Sequence, residues 1–158
     1  MRTQWRFDTL QYKARHIVCV NESGSDERTG DRRFGYSPKG VPAVVSRWLQ
    51  SRTRVSVLPA YTVDGYIAAT TFKGTCNADV FQSFIIDDVL PLMNPFPAPR
   101  SVLVMDNASI HHTNIDTIRD ACEAKGVHIR FLPPYSPDLN LIEESFIDLK
   151  AFIRRYYK

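Results

Sequence analysis

Three polar residues stand where apolar runs begin or end. Asn21 closes His16-Ile-Val-Cys-Val-Asn21, Asp106 closes Ser101-Val-Leu-Val-Met-Asp106, and Glu143 lies just beyond Pro133-Pro-Tyr-Ser-Pro-Asp138. A carboxylate directly after buried residues is costly unless it is exposed, hydrogen-bonded or bound to a cation. In open α/β sheets function gathers at strand ends, where loops can hold side chains over a crevice. Asp106 is equally readable as a turn or cap residue. Glu143 fits a capping box loosely, with Asn140 as the N-cap and Glu143 three residues on. A second set is basic. Arg28, Arg32, Arg33, Lys39, Arg47, Arg52 and Arg54 face only Glu27 and Asp31, with Phe34, Tyr36 and Trp48 interleaved. A lone arginine here would be a solvated charge. The set suits phosphate contact or a clamp against a partner subunit, and such binding weakens steeply with salt.

The elements that must position these residues follow from pattern. The opening residues alternate loosely, and residues 16–21 read as a buried strand. Glu22 to Gly40 is polar and glycine-punctuated, a loop too long to be a mere connector. Thr53 to Phe72 reads as two strands joined at Val63-Asp-Gly-Tyr66, where Asp64-Gly65 supplies hairpin chemistry. Helical spacing takes over from Asn77, a plausible N-cap, to Pro91. Residues 101–106 form a short buried strand, 114–125 a helix closed by Gly126, and 127–132 another strand. A last helix from about Leu141 carries Ile142, Phe146, Leu149, Phe152 and Ile153 at roughly helical spacing, and its basic end reads as an amphipathic surface. Antiparallel strands first and βα units later predict an α/β fold, a mixed sheet flanked by helices.

The chain has 158 residues, 44% of them hydrophobic and 23% charged, with a net charge of +3. That fits one globular domain over residues 1–158, with a basic insertion at about 24–54. No apolar run approaches the roughly 20 residues of a membrane span, so no membrane partner is expected. The first residues lack the apolar core of a secretory signal. Cys19, Cys76 and Cys122 are odd in number and unpaired by spacing, which predicts buried thiols in a reducing, intracellular compartment. There is no Gly-x-Ser-x-Gly elbow and no phosphate loop, so an α/β-hydrolase and an NTPase are set aside.

The words around the acids go further. Val104-Met-Asp-Asn-Ala-Ser-Ile-His111, Leu132-Pro-Pro-Tyr-Ser-Pro-Asp-Leu-Asn140 and Ile142-Glu143 closely resemble the DDE endonuclease domain of mariner-type transposases. Asn21-Glu-Ser-Gly with Arg32-Arg-Phe-Gly-Tyr-Ser-Pro-Lys-Gly40 resembles that family's first-acid region. The resemblance runs from about residue 16 to the end. It implies a ribonuclease H-like fold, cut-and-paste DNA transposition, and a site for two Mg²⁺ (or Mn²⁺) ions. Two such ions roughly 3.5–4 Å apart can activate the attacking oxygen and stabilise the leaving one. Asp106 and Glu143 map onto the second and third acids, as metal ligands, and His111 onto the family's histidine, as a possible auxiliary. DNA is the implied partner, with a homodimer or association with a full-length transposase, in the nucleus.

Three departures qualify this, one of them Leu141 where the family usually has Pro. Position 21 is Asn where the family has the Asp that bridges both metals, and an amide offers one neutral oxygen and an NH₂ face that repels cations. Glu22 is expected on the opposite face of its strand and cannot substitute. Nothing before residue 16 reads as the family's helix-turn-helix module. The resemblance therefore implies a catalytic domain that is inactive or impaired, or a non-catalytic binding module derived from a transposase.

Overall fold

A computed structural model of the chain describes residues 2–25, 35–44, 54–106, 114–133, 136 and 139–156. In chain order these form helix α1 (Arg2–Thr9), strands β1 (Ile17–Val20), β2 (Ser23–Ser25), β3 (Val55–Thr62) and β4 (Gly65–Lys73), and helix α2 (Ala78–Ser83). Strand β5 (Val102–Met105), helix α3 (Ile115–Lys125), strand β6 (His128–Phe131) and helix α4 (Ile142–Tyr156) follow. α2 runs on through a π-helical stretch, Phe84–Val89, and a 3₁₀ turn, Leu90–Leu92.

The sheet is mixed, as the pattern predicts. β1 lies antiparallel to β3 and parallel to β5, β5 lies parallel to β6, and β4 closes the other side against β3. β1 and β2 follow β3 in one unbroken register, from Cys19↔Tyr61 and Val20↔Ala60 to Ser23↔Val57 and Ser25↔Val55. The ladder is interrupted at Asn21 and Glu22, opposite Pro59 and Leu58. Proline has no N–H to give a ladder. The strand at residues 23–25 corrects the reading of Glu22 onward as loop: backbone pairing to β3 makes a strand of Ser-Gly-Ser without any apolar signal.

Each face of the sheet carries its own core. Val18, Val20, Leu58, Ala60, Leu103 and Met105 pack on one face against Phe81, Phe84, Ile85, Val89, Ile118 and Cys122. Cys19, Val102 and Val104 pack on the other against Tyr12, Leu132, Ile142 and Phe146. Fully burying such a side chain stabilises by about 1.5–3 kcal/mol, so the strands β1 and β5, apolar on both faces, anchor the fold.

Local chemistry sets the helix ends. Asn77 Oδ1 accepts the Val80 N–H at 2.8 Å, the expected N-cap. Gly126, at φ 74°, ends α3 in the left-handed conformation. Two details differ from the pattern. The hairpin turns at Val63-Asp64, with Gly65 already in β4 at φ 111°. The opening residues form a helix rather than an alternating segment, and among the described side chains Trp5 reaches the core while Phe7 and Leu10 stay exposed.

His16 is buried beneath the edge of the Phe96 ring. The Lys13 N–H donates to its Nδ1 at 3.2 Å, so the neutral ring carries its proton on Nε2, which has no hydrogen-bond partner among the described residues. Burial, then Arg15 and Lys13, lower the imidazole pKa below its ordinary 6.5.

Two tests follow from this packing. Phe146→Ala should cost about 3–5 kcal/mol in urea unfolding, since it removes the side chain seating α4. His16 resists protonation only when folded, so its contribution is complete above pH 6.5 and is lost as pH falls below it. Unfolding midpoints should therefore drop on acidification, and drop less in His16→Phe.

Candidate active site

The parallel register of β1 and β5 runs from Ile17↔Val102 to Val20↔Met105. The next residues, Asn21 and Asp106, therefore leave the sheet side by side. Side chains alternate along a strand. Cys19 and Val104 face α4, so Asn21 and Asp106, two residues on, share that face. α4 lies across it, pinned by Ile142 and Phe146, and Glu143 follows Ile142 in the first turn. All three positions singled out in the sequence thus gather at one corner of the sheet.

Asn21 is 9% exposed. Its Nδ2 donates to Glu143 Oε1 at 2.9 Å, and its Oδ1 accepts the Glu22 backbone N–H at 2.9 Å. A backbone N–H can only donate, so the atom facing it must be the amide oxygen, and an N–H necessarily points at Glu143. Asp106 and Glu143 are both half-buried. The capping-box reading of Glu143 is not upheld. Its N–H donates to the Asn140 carbonyl at 3.0 Å, but Asn140 Oδ1 is buried with no partner among the described residues, and the Glu143 carboxylate turns to Asn21 instead.

Glu22 faces away, as alternation requires. Its Oε1 accepts from Ser56 Oγ at 2.7 Å and from the Cys76 N–H at 3.3 Å, with the Arg54 guanidinium 3.8 Å away. The Arg54 guanidinium lies against Gly24, in space a Cβ there would take. Lys39 is exposed. His111, Asp138, Arg28, Arg32, Arg33, Arg47 and Arg52 lie outside the described residues.

Two residues that sequence reasoning missed also reach this corner. Tyr66 Oη donates to Ser145 Oγ at 2.6 Å, and Ser145 Oγ donates to the Ile142 carbonyl at 2.6 Å. No spacing in the sequence links a hairpin tyrosine to a helix nearly eighty residues away. The cysteines take no part. Burial raises the thiols of Cys19, Cys76 and Cys122 to about 11, with the Leu141 backbone opposing this at Cys19 and Glu22 reinforcing it at Cys76. All three stay protonated near neutrality.

A family model described as DDE superfamily endonuclease matches residues 16–158. The chain belongs to the DDE superfamily endonucleases. Its fold is that of solved transposase and integrase cores. A pre-cleavage Mos1 transpososome matches with a TM-score of 0.71 and 21% identity, over 94% of this chain and 45% of that one. A Mos1 mariner paired-end complex with Mn matches with a TM-score of 0.70 and 18% identity, over 96% and 46%. A simian T-cell lymphotropic virus intasome matches at 0.57 and 16%, over 93% and 43%. The chain thus spans a little under half the length of the Mos1 chains, and the shared architecture is the ribonuclease H-like mixed sheet with flanking helices. A search of curated proteins gave no match.

The DDE donor set does not fit a bridged pair of divalent cations in this chain. Asn21, at the position that resembles the family's first acid, offers an N–H where a bridging ligand would need an anionic oxygen, and its one oxygen is taken by the Glu22 N–H. Among the described residues no group of three or more His, Cys, Asp or Glu side chains could hold a metal. The Asn21 amide instead ties the end of β1 to α4 by a hydrogen bond to the Glu143 carboxylate. Asn21→Asp should break that tie and set carboxylates against each other, lowering stability in EDTA by about 1–3 kcal/mol. Mn²⁺ should restore part of the loss in the variant and leave the unaltered protein unmoved, as read by thermal unfolding.

Proposed function

We propose that this domain derives from the catalytic domain of a cut-and-paste DNA transposase, and that its metal-dependent phosphodiester cleavage and strand transfer are lost or severely weakened. The observation that carries this is the Asn21 Nδ2 bond to Glu143 Oε1. In this reading Asp106 and Glu143 are the second and third acids, the residues that would ligate Mg²⁺ or Mn²⁺, and His111 is an auxiliary. Asn21 occupies the first-acid position and supplies no charge there. Mos1 relatives are seen in complexes with a left transposon end, with Mn and with Mg, which supports the lineage and the type of chemistry involved.

DNA remains the partner. The basic insertion, Arg28, Arg32, Arg33, Lys39, Arg47, Arg52 and Arg54, binds phosphates or clamps a second subunit, either another copy or a full-length transposase. Arg54 is half-exposed at the base of that insertion, which favours a surface role. Such a protein acts in the nucleus. A second reading, a DNA- or transposase-binding module without chemistry, follows from the same amide, which leaves the first-acid position without a charge.

Supercoiled-plasmid nicking with Mn²⁺ separates these readings. The unaltered domain should not nick, Asn21→Asp should regain nicking, and Asn21→Asp with Glu143→Gln should lose it again. Efficient nicking by the unaltered domain would overturn the impaired-site reading. Fluorescence anisotropy in EDTA should show DNA binding that weakens steeply with salt; binding that ignores salt would remove the insertion from its role.

A further inference from the structure

We infer that Tyr66 is a positioning residue for Glu143, turned toward it by a one-residue bulge in β4 and acting through Ser145. The inference rests on the reading of Glu143 as the third acid. The β3–β4 register runs Leu58↔Thr70 and Ala60↔Ala68, then shifts to Tyr61↔Tyr66 and Thr62↔Gly65, leaving Ile67 as the extra residue. Below the bulge, Ala68 and Phe72 pack on the face that carries α2 and α3. Strict alternation would send Tyr66 to that same face, away from the acids. The extra residue reverses the phase. Tyr66 comes to lie opposite Tyr61 on the α4 face, with the ring centroids 5.0 Å apart and the planes at 63°. Re-aiming a side chain in this way is a recurrent use of bulges beside active sites.

The direction of the relay is fixed by proton count. Ser145 has one hydroxyl proton, and the Ile142 carbonyl at 2.6 Å can only accept it. Ser145 Oγ must therefore accept from Tyr66, and the phenol is the donor. Ile142 opens α4 and immediately precedes Glu143, so the relay fixes the turn that carries the acid. Glu143 is then held directly by Asn21, and the turn that carries it by Tyr66 through Ser145. Tyr66 is 49% exposed, so loss of its hydroxyl should disturb placement and hardly touch the core.

The test uses the whole chain and the Asn21 side-chain NH₂ protons, identified in NMR spectra by their disappearance in Asn21→Asp. Bonded to Glu143 at a buried site, they should exchange slowly with solvent. Tyr66→Phe and Ser145→Ala should each speed that exchange severalfold, through local opening of the first turn of α4 and not through global unfolding. The Leu103 backbone amide in β5 and the melting temperature should stay put. Unchanged Asn21 exchange in Tyr66→Phe overturns the inference, and so does acceleration shared equally by Leu103, which would mark general loosening. A second arm measures Mn²⁺ binding to Asn21→Asp by calorimetry, where adding Tyr66→Phe should weaken it severalfold. If Asn21→Asp binds no Mn²⁺, the third-acid reading fails, while the exchange arm still decides what Tyr66 does.

Discussion

The parallel pairing of β1 with β5 is the constraint on which the rest depends. Parallel strands need cover on both faces, and here α2 and α3 supply one side and α1 and α4 the other. The same pairing brings two chain segments far apart in sequence to end at the same level, so whatever follows Val20 and Met105 must emerge together. α4 then has little choice of place: Ile142 and Phe146 fill the hydrophobic surface left by Cys19, Val102 and Val104, and Glu143 comes with them. The convergence of three polar positions is thus a by-product of burying apolar ones.

Alternation along β1 divides labour between two neighbours of similar size. Asn21 turns to α4 and the acids, while Glu22 turns to the opposite side and gathers Ser56, the Cys76 N–H and Arg54. The second residue ties the β2–β3 pair to the end of β4, whose last strand residue is followed by Gly74, itself within 2.6 Å of Ser56 Oγ. One residue step along the chain therefore separates a side chain facing α4 from one facing the opposite side.

Much of this was legible in the residues. The apolar runs at 17–20 and 102–105, the cap at Asn77 and the stop at Gly126 each carry their own local physics, and the pattern predicts them with small errors at the boundaries. The placement of Asn21, Asp106 and Glu143 at element ends was equally visible, and alternation foretold that Glu22 would face away. What could not be read depends on partners distant in the chain. Ser23–Ser25 is a strand only because β3 lies beside it, and the first helix is amphipathic on a single Trp5. Tyr66 looked like any hairpin tyrosine, because a bulge is a mismatch between two strands and has no signature in either alone. Glu143 passed for a capping residue because its true partner, Asn21, lies on another element.

The gap in the ladder opposite Pro59 has an evolutionary consequence. The residue at position 21 contributes no rung of the sheet, and the pairing that holds Val20 before it and Ser23 after it ignores its side chain. A carboxylate can be exchanged there for an amide of the same shape, and the amide finds a bond of its own. Cellular quality control senses misfolding rather than chemistry, so an exchange of that kind passes unseen. A fold built this way can outlive its reaction by many generations, and remain at hand for other work.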